Sequence, residues 1–262
     1  MWDRAKCGHN GYPQPTPMEA FGCFATTPID GSGDGGILDG MSGLHRSPRI
    51  RFKGRRGRVA VLALNGSKPA ALLETLSWGR ANGTSVLGVA VDGGLRAWRT
   101  IRRPCDLFVG DADSATPPPG IESIVYDPDK AFSDLSGALA ELRARRIAVV
   151  CIAGLTGGRL DHEWVNLHEL AVHAKHFAGL LAPTPRGWVV VTAAGASIDT
   201  KPGKPFSLLA LAGRVRVHLR GARWNLDGEW IAPGSRGLSN RTGRSLHLGV
   251  ERGVACVIFP NA

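Results

Sequence analysis

The sequence predicts a mixed α/β protein in which a three-layer domain with a mainly parallel sheet precedes an all-β sandwich domain. Between residues 59 and 181, short apolar runs alternate with amphipathic segments, which is typical of parallel strands joined by helices. Beyond Pro183 the helical pattern stops, and short β-like runs separated by Gly, Pro and Asn follow, as in a β-sandwich. We therefore predict an α/β domain over residues 59–183 and a β-sandwich domain over residues 184–262, after a flexible, basic Gly/Pro-rich extension over residues 1–58.

Each element of the α/β region follows from its local pattern. VAVLAL from residue 59 is apolar on both faces and is predicted as a buried parallel strand. Four further strands are predicted at VLGVAVD from 86, DLFVG from 106, IESIVYD from 121 and IAVVCIAG from 147. Segments with apolar residues at helical spacing are predicted as helices; these are residues 68–80, 94–102, 134–146 and a long helix from Asp161 to about Leu181.

The extension carries a basic run, RIRFKGRRGR, over Arg49–Arg58. We interpret it as solvated chain, because a short basic run is usually exposed; an arm that binds nucleic acid is the alternative. Gly31, Gly33 and Gly36 have GxGxxG spacing. The strand and helix that must flank a dinucleotide-binding loop are not predicted there, so we interpret the match as chance.

Composition limits the class of protein and its partners. The chain has 262 residues, with 43% hydrophobic and 21% charged, which is typical of a globular protein. Its 32 Lys and Arg exceed its 22 Asp and Glu, for a net charge of +10, and this favours nucleic acid or phosphorylated small molecules as partners. The apolar runs are too short to span a membrane. Five cysteines without a CxxC pair argue against a disulfide framework, so we expect a cytoplasmic protein.

Acidic residues follow several of the predicted strands. Asp92, Asp111, Asp113 and Asp161 come after strands or in the loops beyond them, and the carboxyl ends of parallel strands share one edge of the sheet, where ligands bind. Crowded carboxylates repel one another unless a cation neutralises them, and Mg²⁺ prefers such oxygen ligands together with substrate phosphates. A lone Asp is more often a helix cap or turn residue. The combination of acids and glycines nevertheless favours metal-assisted transfer of a phosphoryl-type group.

Several segments resemble a known family in order and spacing. AVDGGLRAW, CDLFVGDADS, DKAFSDLSGAL and GLTGGRLDHEWVNL are similar to the motifs of thiamine pyrophosphokinase, as are LNGSKP before them and GARWNL and GLSN after them. The resemblance implies Mg²⁺-dependent transfer of pyrophosphate from ATP to the hydroxyl of thiamine, giving thiamine diphosphate and AMP. It also implies a homodimer in which the β-sandwich of one subunit completes the site of the other.

The resemblance also implies roles for individual residues. Asp92, Asp111, Asp113 and Asp134 would be catalytic; the first three would hold the metal, and Asp113 or Asp134 could orient or deprotonate the thiamine hydroxyl. The nucleotide would be bound by Asn65, Gly93, Gly110, Ser114, Lys130, Ser133, Thr156, Gly157, Gly158, Arg159, Asp161 and His162. Thiamine would be bound by Trp224, Asn225, Ser239 and Asn240. A tryptophan face suits a flat cationic ring such as thiazolium.

The sequence departs from the family pattern at two positions. Ala131 stands where the family usually has an acid, and Ser133 stands where it usually has a threonine. Because of Ala131, a ligand sensor without catalysis remains open. Two other functions also remain open: pyrophosphate transfer to another alcohol such as a pterin on the same scaffold, and nucleic-acid binding through Arg49–Arg58 and the net positive charge.

Overall fold

The computed structural model describes residues 49–54 and 57–261. Predictions for residues 1–48, including the GxGxxG match, lie outside this range. The strands are β1 (Arg49–Phe52), β2 (Val59–Ala63), β3 (Val86–Val91), β4 (Leu107–Gly110), β5 (Glu122–Val125), β6 (Val149–Ala153), β7 (Gly179–Thr184), β8 (Gly187–Thr192), β9 (Gly195–Asp199), β10 (Pro205–Ala210), β11 (Val215–Ala222), β12 (Leu226–Ile231), β13 (Asn240–Arg252) and β14 (Ala255–Pro260). The helices are α1 (Pro69–Asn82), α2 (Leu95–Thr100), α3 (Asp134–Ala144) and α4 (Leu160–His173).

The parallel part of the sheet confirms the five predicted strands. Its order is β7-β6-β2-β3-β4-β5, and every neighbouring pair in it is parallel. All residues of β2 are buried, because apolar side chains of α1 and α2 cover one face of the sheet and those of α3 and α4 cover the other. This burial on both faces explains the continuous apolar runs.

The predicted long helix is wrong in its second half. Helix α4 ends at His173, and after a short 3-10 turn the chain enters β7 at Gly179. The run GLLA is buried on both faces of the sheet, and a short apolar run of this kind fits a strand as well as a helix. Gly179 also lies under an aromatic ring, since a Cβ there would stand 2.0 Å from Cε1 of Phe52.

The sheet continues across the predicted domain boundary. Strands β7 and β8 form an antiparallel hairpin with Pro183 opposite Trp188, and β14 and β10 extend the same sheet. A second antiparallel ladder, β1-β9-β13-β11-β12, shares one buried apolar cluster with β8, β10 and β14. The protein thus has a mixed α/β fold built on a large sheet, and its division into two domains remains a prediction.

We expected the whole basic segment to be solvated chain, but part of it is a strand. Residues Arg49–Phe52 form β1, which pairs with β9. The reason is alternation, since Ile50 is buried at 2% exposure while the guanidinium of Arg51 lies 2.7 Å from Asp199 at the surface. The end of the predicted extension is therefore part of the fold. No helix within residues 49–54 and 57–261 is long and apolar enough to cross a membrane.

Candidate active site

Three carboxylates meet at the carboxyl edge of the parallel strands. One oxygen from each of Asp92, Asp111 and Asp134 lies within 4.8 Å of the others. Asp92 follows β3 and Asp111 follows β4, and these neighbouring strands run in the same direction, so their ends coincide. Asp134 begins α3. The predicted convergence of acids from distant parts of the chain is present.

The three-carboxylate cluster differs in one member from the predicted metal-ligand set. Asp134 stands in it where we expected Asp113. The backbone N–H of Asp113 donates to Oδ1 of Asp111 over 3.3 Å, so Asp113 supports the loop beside the cluster. The assignment of individual metal ligands remains a prediction.

Lys130 provides the positive charge at the cluster. Its Nζ lies 2.8 Å from Oδ2 of Asp111 and 3.0 Å from Oδ1 of Asp134. Its side chain is only 8% exposed, so water screens these contacts weakly. The contact with Asp134 is ionic rather than a directed hydrogen bond, since within the described chain Oδ1 of Asp134 is buried and accepts none.

The two carboxylates around Lys130 titrate differently. The hydrogen bond from Lys130 lowers the pKa of Asp111 below its ordinary value. Burial raises the pKa of Asp134, because its lost hydration outweighs the nearby ammonium. Burial opposes the charge on Lys130, but its hydrogen bond to Asp111 and its ionic contact with Asp134 outweigh this and raise its pKa. The site therefore keeps a charged lysine beside an ionised Asp111 at neutral pH.

Tight backbone packing holds Asp92 in place. Asp92 has φ +44° and is 7% exposed, and its Oδ1 accepts from the backbone N–H of Ser114 over 3.3 Å. A Cβ on Gly94 would lie 1.8 Å from the carbonyl oxygen of Ala63, and one on Gly110 would lie 2.9 Å from Cβ of Asp92. A side chain at Gly94 or Gly110 would therefore clash with neighbouring residues, which explains why glycine stands at both positions.

The loop after β6 presents backbone amides and two charged side chains. Gly157 has φ +108°, and its N–H and that of Gly158 both donate to Oε1 of Glu163, over 2.6 and 3.0 Å. Arg159 pairs with Asp161, Nη2 to Oδ2 over 2.6 Å. Thr156 and His162 lie in the same stretch, and Ser133 caps α3 by accepting from the N–H of Ser136. The residues from Thr156 to His162 follow β6 in the chain, and Ser133 follows β5; their roles in nucleotide binding remain predictions.

The predicted thiamine-binding residues surround an exposed ring. Trp224 is 53% exposed, and the guanidinium carbon of Arg223 lies 4.8 Å from its ring centroid. Asn240 is buried and holds the backbone of Trp224, donating from Nδ2 to its carbonyl over 2.8 Å. Asn225 accepts from the N–H of Ala222, and Ser239 adopts φ +60°. Both asparagine side chains thus shape the loop that presents the tryptophan.

Sequence reasoning missed three polar residues beside these loops. The guanidinium of Arg96 donates to the carbonyl of Ser114. The hydroxyl of Ser67 donates to the carbonyls of Leu64 and Ala153, over 2.6 and 2.8 Å, and so joins the ends of β2 and β6. The third residue is Glu163. Each of the three lies inside a segment that resembles a motif of the family, and this was the feature of the sequence that could have identified them.

Comparison with known proteins identifies the class. Residues 80–178 match the family model described as the catalytic domain of thiamin pyrophosphokinase. The thiamine pyrophosphokinase of Bacillus subtilis superposes with a TM-score of 0.63 at 19% identity, covering 78% of this chain and 99% of that one. The enzyme of Candida albicans gives 0.61 at 13%, covering 83% and 98%. No curated protein sequence matches. At these identities the structural likeness shows the fold.

The α/β fold and its edge of carboxylates, lysine and glycine loops define an enzyme that transfers a phosphate-containing group. The match over residues 80–178 identifies this part of the chain as a catalytic domain of the thiamin pyrophosphokinase family.

Proposed function

We propose that this protein transfers the pyrophosphoryl group of ATP to the hydroxyl of thiamine, forming thiamine diphosphate and AMP. The observation that carries the proposal is the meeting of Asp92, Asp111 and Asp134 around Lys130, within a chain that matches the family's catalytic domain. Carboxylates, a lysine and loop amides are the groups that bind a metal-bound polyphosphate.

The residues at this edge fit Mg²⁺. The donor set consists of carboxylate oxygens, which hard divalent cations prefer, and Oδ1 of Asp134 is buried without a directed hydrogen bond in the described chain. Asp92 and Asp111 would hold the ion, with Asp113 and Asp134 as the further candidates. When bound, Mg²⁺ neutralises phosphate charge and polarises phosphate oxygens.

The chain's own residues would bind, orient and shield the reacting groups. Lys130 and Arg159 place positive charge near the phosphates, which favours the charge that develops on the departing AMP. The amides of Gly157 and Gly158 stand at the N-terminus of α4, where backbone N–H groups favour anions. Asp113 and Asp134 are the two candidates for orienting the thiamine hydroxyl or accepting its proton.

Thiamine would stack on the exposed ring of Trp224, because a cationic thiazolium is attracted to an aromatic face. Two further surfaces support a homodimer with shared sites. Helix α4 exposes Leu160 at 78% and Trp164 at 64% beside the loop after β6. The turn before β13 exposes Leu238 at 52%, two residues before Asn240, which holds the backbone of Trp224. A second copy that joins these surfaces would remove apolar area from water.

The test is AMP formation from ATP and thiamine, with and without Mg²⁺. We expect AMP only when all three are present, and Asp111→Asn should lower turnover at least about a hundredfold with little loss of folding. Glu122→Gln is the matched control, because Glu122 lies at the start of β5, away from this edge. Normal activity of Asp111→Asn would refute the site. AMP formed with a pterin alcohol but not with thiamine would refute the substrate.

A further inference from the structure

Glu163 occupies both of the backbone amides that the proposed function gives to ATP. Its Oε1 accepts from Gly157 over 2.6 Å and from Gly158 over 3.0 Å. The carboxylate belongs to the first turn of α4 and bends back over the loop that precedes it. A negatively charged group of the protein itself thus lies where a phosphate oxygen would accept.

The loop leaves room for a larger anion than this carboxylate. A Cβ on Gly158 would meet nothing within 4 Å among the described residues, so packing against the protein does not explain the absence of a side chain there. Both glycines are exposed, and Glu163 is only partly buried, so its side chain can turn away to solvent. The 14 residues of α4 add a positive end to the site.

The neighbouring charges do not compete for these amides. The carboxylate of Asp161 pairs with the guanidinium of Arg159, with Oδ1 3.1 Å from Nε and Oδ2 2.6 Å from Nη2. The same Oδ1 accepts from the N–H of His162 over 3.0 Å. Within the described chain, Glu163 is therefore the internal acceptor for the two glycine amides.

We infer that Glu163 is a displaceable internal ligand that lowers the affinity of the enzyme for ATP. This rests on the proposed function, and it assigns a positioning residue that sets the nucleotide's apparent affinity. A polyphosphate must displace the carboxylate, so only molecules whose Glu163 has swung away are competent. The apparent dissociation constant is then the intrinsic constant divided by the competent fraction.

A structural role for Glu163, in which it keeps its hydrogen bonds to the loop while ATP binds, makes the opposite prediction. If Glu163 held the loop in shape while ATP bound, its removal would weaken nucleotide binding. If it is displaced, Glu163→Ala binds ATP more tightly, by roughly three- to tenfold, because charge-assisted hydrogen bonds no longer compete. Glu163→Gln should lie between, since a neutral amide oxygen is a weaker acceptor for the same two amides.

The experiment measures the dissociation constant of ATP with Mg²⁺ by titration calorimetry in the absence of thiamine, on the full chain and the two variants. Glu122→Gln serves as the matched control for loss of one negative charge. Steady-state kinetics supply a second measurement, in which KM for ATP falls by the same factor while kcat changes less than about twofold. Thermal melts check that each variant is folded.

Tighter binding in Glu163→Ala and Glu163→Gln, with the control unchanged, supports the inference. Weaker binding, or binding equal to that of the original chain, overturns it. The proposed function is tested separately. A chain that binds ATP but forms no AMP with thiamine refutes that function, and the calorimetric comparison still decides the role of Glu163.

Discussion

Glu74 offers a quantitative test of how α1 packs on the sheet. Burial raises the pKa of this carboxyl from 4.5 to about 7. The folded protein therefore holds a proton on Glu74 that the unfolded chain releases between these two values. Stability contributed by this difference is complete at low pH, and it declines as pH rises through this window. Replacing Glu74 with glutamine removes the charge and keeps the shape.

The size of the effect follows from the two pKa values. They differ by about 2.5, and at about 1.4 kcal/mol for each pKa unit the full cost of ionising Glu74 is roughly 3.5 kcal/mol. The side chain is partly exposed, so solvent screening reduces this, and we expect about 1–2 kcal/mol. Glu74→Gln should be more stable than the original chain by that amount above about pH 8 and equally stable near about pH 4.

Denaturant unfolding of both chains at these two pH values measures the difference directly. Glu122→Gln is the control, because Glu122 is exposed and paired with Arg145; it should gain nothing at high pH. An advantage of Glu74→Gln that is the same at both pH values would refute the argument, since it would show that ionisation of Glu74 is not the cause.

Two further predictions concern the site. Lys130→Met leaves the two acids beside Lys130 uncompensated and should lower the free energy of unfolding by about 3 kcal/mol; added Mg²⁺ should recover part of this in denaturant titrations. An unchanged stability would show that the pairing contributes nothing. Gly94→Ala places a Cβ 1.8 Å from the carbonyl oxygen of Ala63 and should cost about 3 kcal/mol. Gly158→Ala, which meets nothing within 4 Å, should stay within about 0.5 kcal/mol, and equal melting temperatures of the two variants would contradict this.

Local sequence patterns were sufficient to predict the parallel strands and to predict that Asp92 and Asp111 lie close together. The run at β2 is apolar on both faces because helices cover both sides. The ends of β3 and β4 meet because parallel strands share an edge, so Asp92 and Asp111 could be placed together from sequence.

Other features depend on partners far away in the chain. Strand β1 exists because β9 lies beside it, and the ion pair between Arg51 and Asp199 spans 148 positions. The path of the loop after β4, rather than spacing, decides that Asp134 joins the cluster in place of Asp113. The reach of Glu163 back to the glycine amides is likewise a matter of side-chain conformation that no periodicity encodes.

The unbroken sheet across the β7–β8 hairpin has a practical consequence for dissecting this enzyme. A fragment that starts at residue 184 would present the bare edge of β8, whose residues are all buried in the whole chain. Such an edge invites pairing with other molecules. Fragments produced by dividing the chain at that point should therefore precipitate. The function of either part should be studied by point substitutions in the intact polypeptide.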